Sequence, residues 1–279
     1  MKELSGKVAV VTGGASGIGR ALGDRFASNG MKVVLADVDE KELDVAANEL
    51  RELGAQAVGV RADVAVATDL EHLRDAALHA FGSVHVVCNN AGVGTGGPLW
   101  EVPLESWRWV LGVNLWGVIH GVHTFTPLLV EQGEGHIVNT ASSAGLTSVP
   151  LVGPYATTKH AVVGLSESLA LDLAGTGVGV SALCPMWVRT RILESYRNAP
   201  PEVLAAEEAR GSPLPDRMSV LAAIVEGGLD PAFVAEEVIE AVKTDRFYVL
   251  PHPAVKDAAV ERARRIALDE SPAAAPLFG

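Results

Sequence analysis

Short β-branched runs alternate with longer amphipathic stretches along almost the whole chain, and that alternation leaves few folds open. Strands are expected over 8–11, 32–36, 57–62, 84–88, 136–141, 178–184 and 247–250. Helical spacing runs over 17–29, 39–53, 66–81, 103–131 in two pieces, 155–174 and 231–243, with Gly54 and Gly175 as stops. Strands that alternate with helices pair in parallel through right-handed crossovers. Their near-continuous apolar character requires cover on both faces. The expected fold is α/β, a doubly wound parallel sheet of about seven strands with helices on both faces. A length of 279 residues, 48% apolar and 20% charged, suits one such domain over 1–279 and excludes a disordered chain. Two segments break the rhythm. Residues 186–230, with Pro200, Pro201, Pro213 and Pro215, are expected to form a lid over a substrate site, and a tail begins at about 252.

The net charge is −12 and the isoelectric point about 5.1. That balance argues against nucleic acid as a partner and against an anionic membrane surface. No apolar run is long enough to span a bilayer. The first residues enter a strand at once and leave no room for a signal peptide, so a cytoplasmic protein is expected. Cys88 and Cys184 form no C-x-x-C pair and end two different apolar runs, which predicts buried free thiols in a reducing compartment.

A glycine-rich turn joins the first strand to the first helix, as Thr12-Gly13-Gly14-Ala15-Ser16-Gly17-Ile18-Gly19. Gly13 permits the tight turn, Gly17 lets backbone approach a pyrophosphate, and Gly19 allows close helix–sheet packing. The helix start at Ser16, Gly17 and Ile18 offers free N–H groups and a partial positive charge to phosphate. Asp37 ends the second strand, 18 residues after Gly19. A carboxylate there accepts from adenosine ribose hydroxyls and repels a 2′-phosphate, and no Arg or Lys stands at Ala15, Ser16 or Val38. The expected cofactor is NAD. Asp39 is free to cap the following helix instead of Asp37.

Tyr155 and Lys159 are i and i+4 on a helix and point the same way, and Ser142 immediately follows the fifth strand. Ligands of open α/β sheets sit beyond the C-terminal strand ends. A lysine ammonium about 4 Å from the phenol, at a dielectric of about 20, contributes on the order of 4 kcal/mol. That predicts a phenol brought toward neutrality, where general acid–base transfer is efficient. Ser142 would donate to the substrate oxygen as negative charge develops. Glycine turn and Ser/Tyr/Lys set together imply hydride transfer between a nicotinamide and an alcohol or ketone.

In order and spacing, Thr12 to Gly19, Asp63-Val64, Asn89-Asn90-Ala91-Gly92, Asn114, Ser142, Tyr155 and Lys159 resemble the short-chain dehydrogenase/reductase family, closely over about residues 5 to 190. The resemblance implies a Rossmann fold. It implies that Asp63 and Val64 flank the adenine, and that Asn90, Ala91 and Gly92 line the cofactor. Asn114 would hold a water linking Lys159 to solvent, and Lys159 would also bond the nicotinamide ribose. Pro185-Met186-Trp187-Val188-Arg189-Thr190 resembles the family's nicotinamide-side segment, with Val188 and Thr190 toward the carboxamide. Met186 stands where that segment has glycine, so its side chain must crowd the pocket or become part of the wall. A homotetramer or homodimer through the helices at 103–131 and 155–174 is likewise implied.

Leu146, Val149, Leu151, Val152, Met186 and Trp187 are expected to form an apolar wall, which predicts a hydrophobic secondary alcohol or ketone as substrate. Arg189 and Arg191 stand close by in sequence. Trp100 and Trp187 are placed near substrate because they follow the Asn90 and Pro185 segments. His120 and His123 lack a carboxylate at matching spacing and read as packing residues, so no metal is expected. Arg262, Arg264 and Arg265 near Glu261 and Asp269 read as a solvated helix face. Two other functions share parts of this pattern. A sugar-nucleotide epimerase has the Tyr/Lys pair but a longer chain, and a dinucleotide-sensing scaffold would not need Ser142, Tyr155, Lys159 and Asn114 together.

Overall fold

The computed structural model describes residues 1–211 and 222–274. Seven parallel strands form one sheet: β1 (Val8–Thr12), β2 (Lys32–Asp37), β3 (Ala57–Arg61), β4 (Val86–Asn89), β5 (Gly135–Thr140), β6 (Val178–Leu183) and β7 (Tyr248–Val249). Their order is β3-β2-β1-β4-β5-β6-β7. The direction of winding reverses between β1 and β4, which opens a crevice at the C-terminal strand ends. Every residue of β1, β4 and β5 is buried, as strands covered on both faces require. One core lies under Leu22, Phe26, Leu35 and Ile239, the other under Leu70, Leu73, Phe125 and Leu129, one on each side of the sheet.

The helices are α1 (Gly17–Ser28), α2 (Glu40–Glu52), α3 (Ala67–Phe81), α4 (Leu104–Leu111), α5 (Gly117–Gln132), α6 (Gly153–Asp172), α7 (Pro201–Arg210), α8 (Pro231–Thr244) and α9 (Ala254–Ala267). The stretch 103–131 is indeed two pieces, joined by a π turn over Gly112–Trp116. Asp39 caps α2 by accepting from Glu42 N–H, which leaves Asp37 to the crevice. The described residues within 186–230 are less irregular than expected. They hold 3₁₀ turns over Ile192–Asn198 and the helix α7, whose start is built by Pro201 at the first helical position. Pro213 and Pro215 lie outside the described residues. In the tail, α9 carries the helix face expected around Arg262, Arg264 and Arg265. Among the described residues no helix is long and apolar enough to cross a membrane. Cys88 and Cys184 are buried free thiols, each pushed up by burial, Cys184 to about 12.

Candidate active site

A cavity of about 2660 Å³ opens at the C-terminal ends of the strands. A single small ligand occupies about 300–1,000 Å³, so this space suits a dinucleotide and a substrate together. Gly13, Ser16, Gly17 and Ile18 line it, with Asp37, Asp63, Val64, Asn90, Ala91 and Gly92 further along. Ser142, Tyr155, Lys159, Pro185, Met186, Val188 and Thr190 complete the set predicted from sequence. Gly19 and Asn114 do not reach the cavity and support it from behind.

The glycines are needed for different reasons. Gly13 and Gly17 have φ of 66° and 55°. A Cβ at Gly13 would come 2.8 Å from Ala91 Cα, and one at Gly19 would come 2.0 Å from Gly13 O. Ser16 precedes α1 without a side-chain cap, so the first-turn N–H groups stay open toward the cavity. Asn90 braces β1 against β5: Nδ2 donates to Thr12 O at 3.0 Å and Oδ1 accepts from Thr140 Oγ1 at 3.1 Å. Asp37 accepts from Ala15 N–H and Asp39 N–H, both at 3.1 Å. These residues fit a dinucleotide phosphate and ribose. One neighbour was missed: Arg61 ends β3 in register with Asp37 and lines the same cavity. It lies 24 positions away in sequence, so only strand pairing reveals it.

The catalytic candidates converge. Lys159 is 3% exposed, its Nζ donates to Thr140 O at 2.8 Å and lies 5.5 Å from the centroid of the Tyr155 ring. Burial pulls its ammonium down to about 8. Tyr155 does not follow the expected direction. Burial pushes its phenol above the ordinary value of 10, and the hydrogen bond with Ser142 only partly opposes this. The sequence-based expectation counted the lysine's attraction and left out the cost of desolvating a phenolate. Ser142 Oγ also accepts from Ala144 N–H at 3.2 Å, which orients it. Asn114 sits in the π turn, fully buried, exchanging two hydrogen bonds with the backbone of Val93 at 2.8 and 2.9 Å. A Cβ on Gly92 would lie 3.6 Å from Asn114 Oδ1 and 3.7 Å from Lys159 Nζ, so glycine keeps the space between them open.

Met186 joins the wall, and an unforeseen residue holds its backbone. His252 Nδ1 accepts from Met186 N–H at 3.2 Å, while Nε2–H donates to Trp187 O at 3.1 Å. Both ring nitrogens are used by a neutral imidazole, and burial keeps it below its usual range. Val149, Leu151, Val152 and Trp187 line the cavity as expected; Leu146 packs behind it. Trp100 is 84% exposed and off the cavity, which corrects its placement near substrate. Trp109 takes that place from the inward face of α4. Arg189 and Arg191 pair with Asp230 at 2.7 Å and Glu194 at 2.8 Å. His120 Nδ1 lies 2.9 Å from Val64 O and packs as expected. Among the described residues no group of three or more His, Cys, Asp or Glu could hold a metal ion. In the tail, Glu261 pairs with Arg264 and Arg265 on the surface, but Glu270, not Asp269, is the second acid. The same helix α9 flanks the cavity through Val255 and Ala258.

The family model for short chain dehydrogenases matches residues 7–201. The chain belongs to that family. It is 41% identical over 254 residues to the 1-deoxy-11-beta-hydroxypentalenate dehydrogenase of Streptomyces exfoliatus, covering 88% of this chain and 83% of that one. It is 33% identical over 198 residues to the cyclohexanol dehydrogenase of Acinetobacter sp. (strain SE19), covering 71% and 79%. The crystal structure of a short chain dehydrogenase/reductase from Burkholderia phymatum in complex with NAD superposes with a TM-score of 0.93 at 46% identity, covering 98% of both chains. The protein is therefore an oxidoreductase acting on CH–OH groups.

Proposed function

We propose that this short-chain dehydrogenase interconverts a hydrophobic secondary alcohol and its ketone with NAD(H), using Tyr155 as the general acid and base. The observation that carries the reading is the convergence of Ser142, Tyr155 and Lys159 at the apolar end of the cavity whose other end is the glycine turn. Two relatives are named for a hydroxyl-bearing substrate, cyclohexanol and the hydroxy acid hydroxypentalenate, and they support a largely hydrocarbon alcohol as the substrate class.

Gly13, Ser16, Gly17 and Ile18 would hold the pyrophosphate, Asp37 the adenosine ribose, Asp63 and Val64 the adenine. Asn90, Ala91, Gly92, Pro185, Met186, Val188 and Thr190 would border the nicotinamide half. A bound nicotinamide supplies a hydride acceptor or donor and, when oxidised, a positive charge. Tyr155 moves the proton at the substrate oxygen. Its raised pKa makes it a proton donor in ketone reduction, while alcohol oxidation requires positive charge beside it. Lys159 contributes one such charge and holds the ribose. Ser142 donates to the substrate oxygen as charge grows there. Asn114, behind Gly92, holds the water route between Lys159 and solvent. The 192–210 segment acts as a cover on the substrate side.

NAD is preferred over NADP because Asp37 would face the 2′-position. Exposed Trp116 on the π turn and Leu171 on α6 support assembly of copies into a homotetramer or homodimer, which light scattering tests. The test of the reaction is NADH absorbance across lipophilic alcohols and ketones. Turnover of several is expected; turnover confined to charged sugars would sink the substrate class.

A further inference from the structure

Tyr196 lies in a segment that no motif accounts for. Its ring packs on Trp109 with centroids 5.5 Å apart and planes at 37°, and both rings line the cavity. Its hydroxyl donates to Glu207 Oε1 at 3.0 Å and so accepts from Thr95 Oγ1 at 2.6 Å. The same carboxylate oxygen accepts from Ser106 Oγ on α4 at 2.5 Å. The other oxygen pairs with Arg210 Nη2 at 2.5 Å, and Arg210 Nη1 donates to Gly96 O at 3.1 Å. The Glu207 and Arg210 side chains are only 12% and 11% exposed.

Consecutive loop residues make the opposing contacts. Gly94 N–H donates to Ser195 Oγ at 2.9 Å, Thr95 meets Tyr196, and Gly96 meets Arg210. Gly97 N–H then donates to Leu151 O at 2.8 Å, in the segment that leads into α6 and Tyr155. One loop thus ties the 192–210 segment to the catalytic helix. Burying a carboxylate and a guanidinium is costly unless their lone pairs and protons are met, and such networks fix geometry more than they add net stability. What this one fixes is a single aromatic ring facing the chamber.

We propose that Tyr196 is a specificity-determining residue: its ring, backed by Trp109 and pinned at the hydroxyl by Thr95 and Glu207, is a rigid wall that limits the size of the alcohol admitted. Glu207 is a positioning residue that acts through it. The inference rests on the alcohol–ketone reading of this chamber and adds where the size limit is set.

The experiment compares 2-decalol with cyclohexanol in the full-length protein. Tyr196→Ala removes the wall and is expected to raise the ratio of kcat/KM for 2-decalol over cyclohexanol by about tenfold. Glu207→Gln is expected to raise KM about threefold to tenfold with kcat held, because the ring loosens while the reacting groups stay put. A size ratio unchanged in a Tyr196→Ala protein with wild-type melting temperature and NADH affinity overturns the proposal. If that variant does not fold, Tyr196→Leu is read in the same way. Should wild type oxidise neither alcohol, the redox reading fails, and calorimetric binding of 2-decalone and cyclohexanone decides the wall. A shift of about tenfold in the ratio of the two Kd values supports it; an unchanged ratio, or no ketone binding to wild type, overturns it.

Discussion

Two buried polar clusters sit at opposite ends of β5. At the C-terminal end are Ser142, Tyr155 and Lys159. At the N-terminal end, His136 Nε2–H donates to Ser181 Oγ at 2.8 Å, Ser181 donates to Arg246 O at 2.7 Å, and His136 Nδ1 lies 3.7 Å from Asp245 Oδ1. By residue type alone the second cluster looks the more reactive, since serine, histidine and carboxylate are the members of a nucleophilic triad, but here the imidazole donates to the serine instead of accepting its proton. None of its three residues lines the cavity, and His136 is 1% exposed. The first cluster faces open space with a lysine whose charge is not neutralised by a carboxylate. Access and an uncompensated charge mark the reactive end; burial away from the cavity marks the structural one.

The sharpest way to break that distinction is to remove one hydroxyl from each cluster. Tyr155→Phe is expected to lower kcat/KM by about 10²–10⁴-fold, with NADH affinity measured by fluorescence nearly unchanged. Ser181→Ala is expected to leave kcat/KM alone and to cost about 1–3 kcal/mol in urea unfolding, because it strands a buried imidazole N–H. A large rate loss in Ser181→Ala would put the second cluster in the reaction.

Acidity separates the clusters in opposite windows. Burial takes His136 from 6.5 to about 4. Between those values the unfolded chain binds the proton that the fold refuses, so stability is full above about 6.5 and falls as pH drops toward 4. The loss is about 3 kcal/mol, at about 1.4 kcal/mol for each tenfold. Equilibrium unfolding of wild type and His136→Gln from pH 7 to 4 checks it; parallel curves would refute it. Lys159 is lowered from 10.5 to about 8, again by burial. At pH 7 it is charged and costs stability, and the cost fades as pH rises from 8 to 10.5. Lys159→Met is therefore expected to be inactive yet more stable at pH 7, with its advantage shrinking by about 3 kcal/mol over that range.

Legibility followed the same divide. The sheet and the glycine turn were readable because they depend on local period and on backbone that tolerates no Cβ, as at Gly13 and Gly19. Tyr155 and Lys159 were readable because helix spacing alone aligns them. Arg61, Trp109, Tyr196 and His252 were not, since each meets its partners across strands, loops or a gap of more than sixty residues. The direction of the Tyr155 shift was misjudged for a related reason: sequence names the neighbouring charge but not the depth of burial.

Asp37 tests how far the cofactor end obeys its motif. Asp37→Ala removes the carboxylate from the proposed ribose position and leaves its strand partner Arg61 in place. The ratio of kcat/KM for NAD over NADP is expected to fall about tenfold, close to the energy of one charge-assisted hydrogen bond. An unchanged ratio would remove Asp37 from cofactor choice.

His252 stands between the two clusters. Like His136 it is a neutral imidazole, but both of its ring nitrogens are hydrogen-bonded, and the atoms it holds belong to the segment proposed to border the nicotinamide. Trp187 O also accepts from Leu229 N–H at 3.0 Å, so that carbonyl keeps a partner when the imidazole is lost. Met186 N–H would lose the imidazole acceptor. His252→Ala is therefore expected to cost only about 1 kcal/mol of stability and to weaken NADH binding about threefold to fivefold, while kcat at saturating NAD stays near wild type. His252→Gln, which carries an acceptor and a donor on one head group, should recover most of the affinity. If Ala and Gln lower stability equally and neither moves the NADH Kd, His252 belongs with His136 as a packing residue, and the backbone bonds between Leu229 and the 187–189 segment suffice to hold the wall formed by Met186.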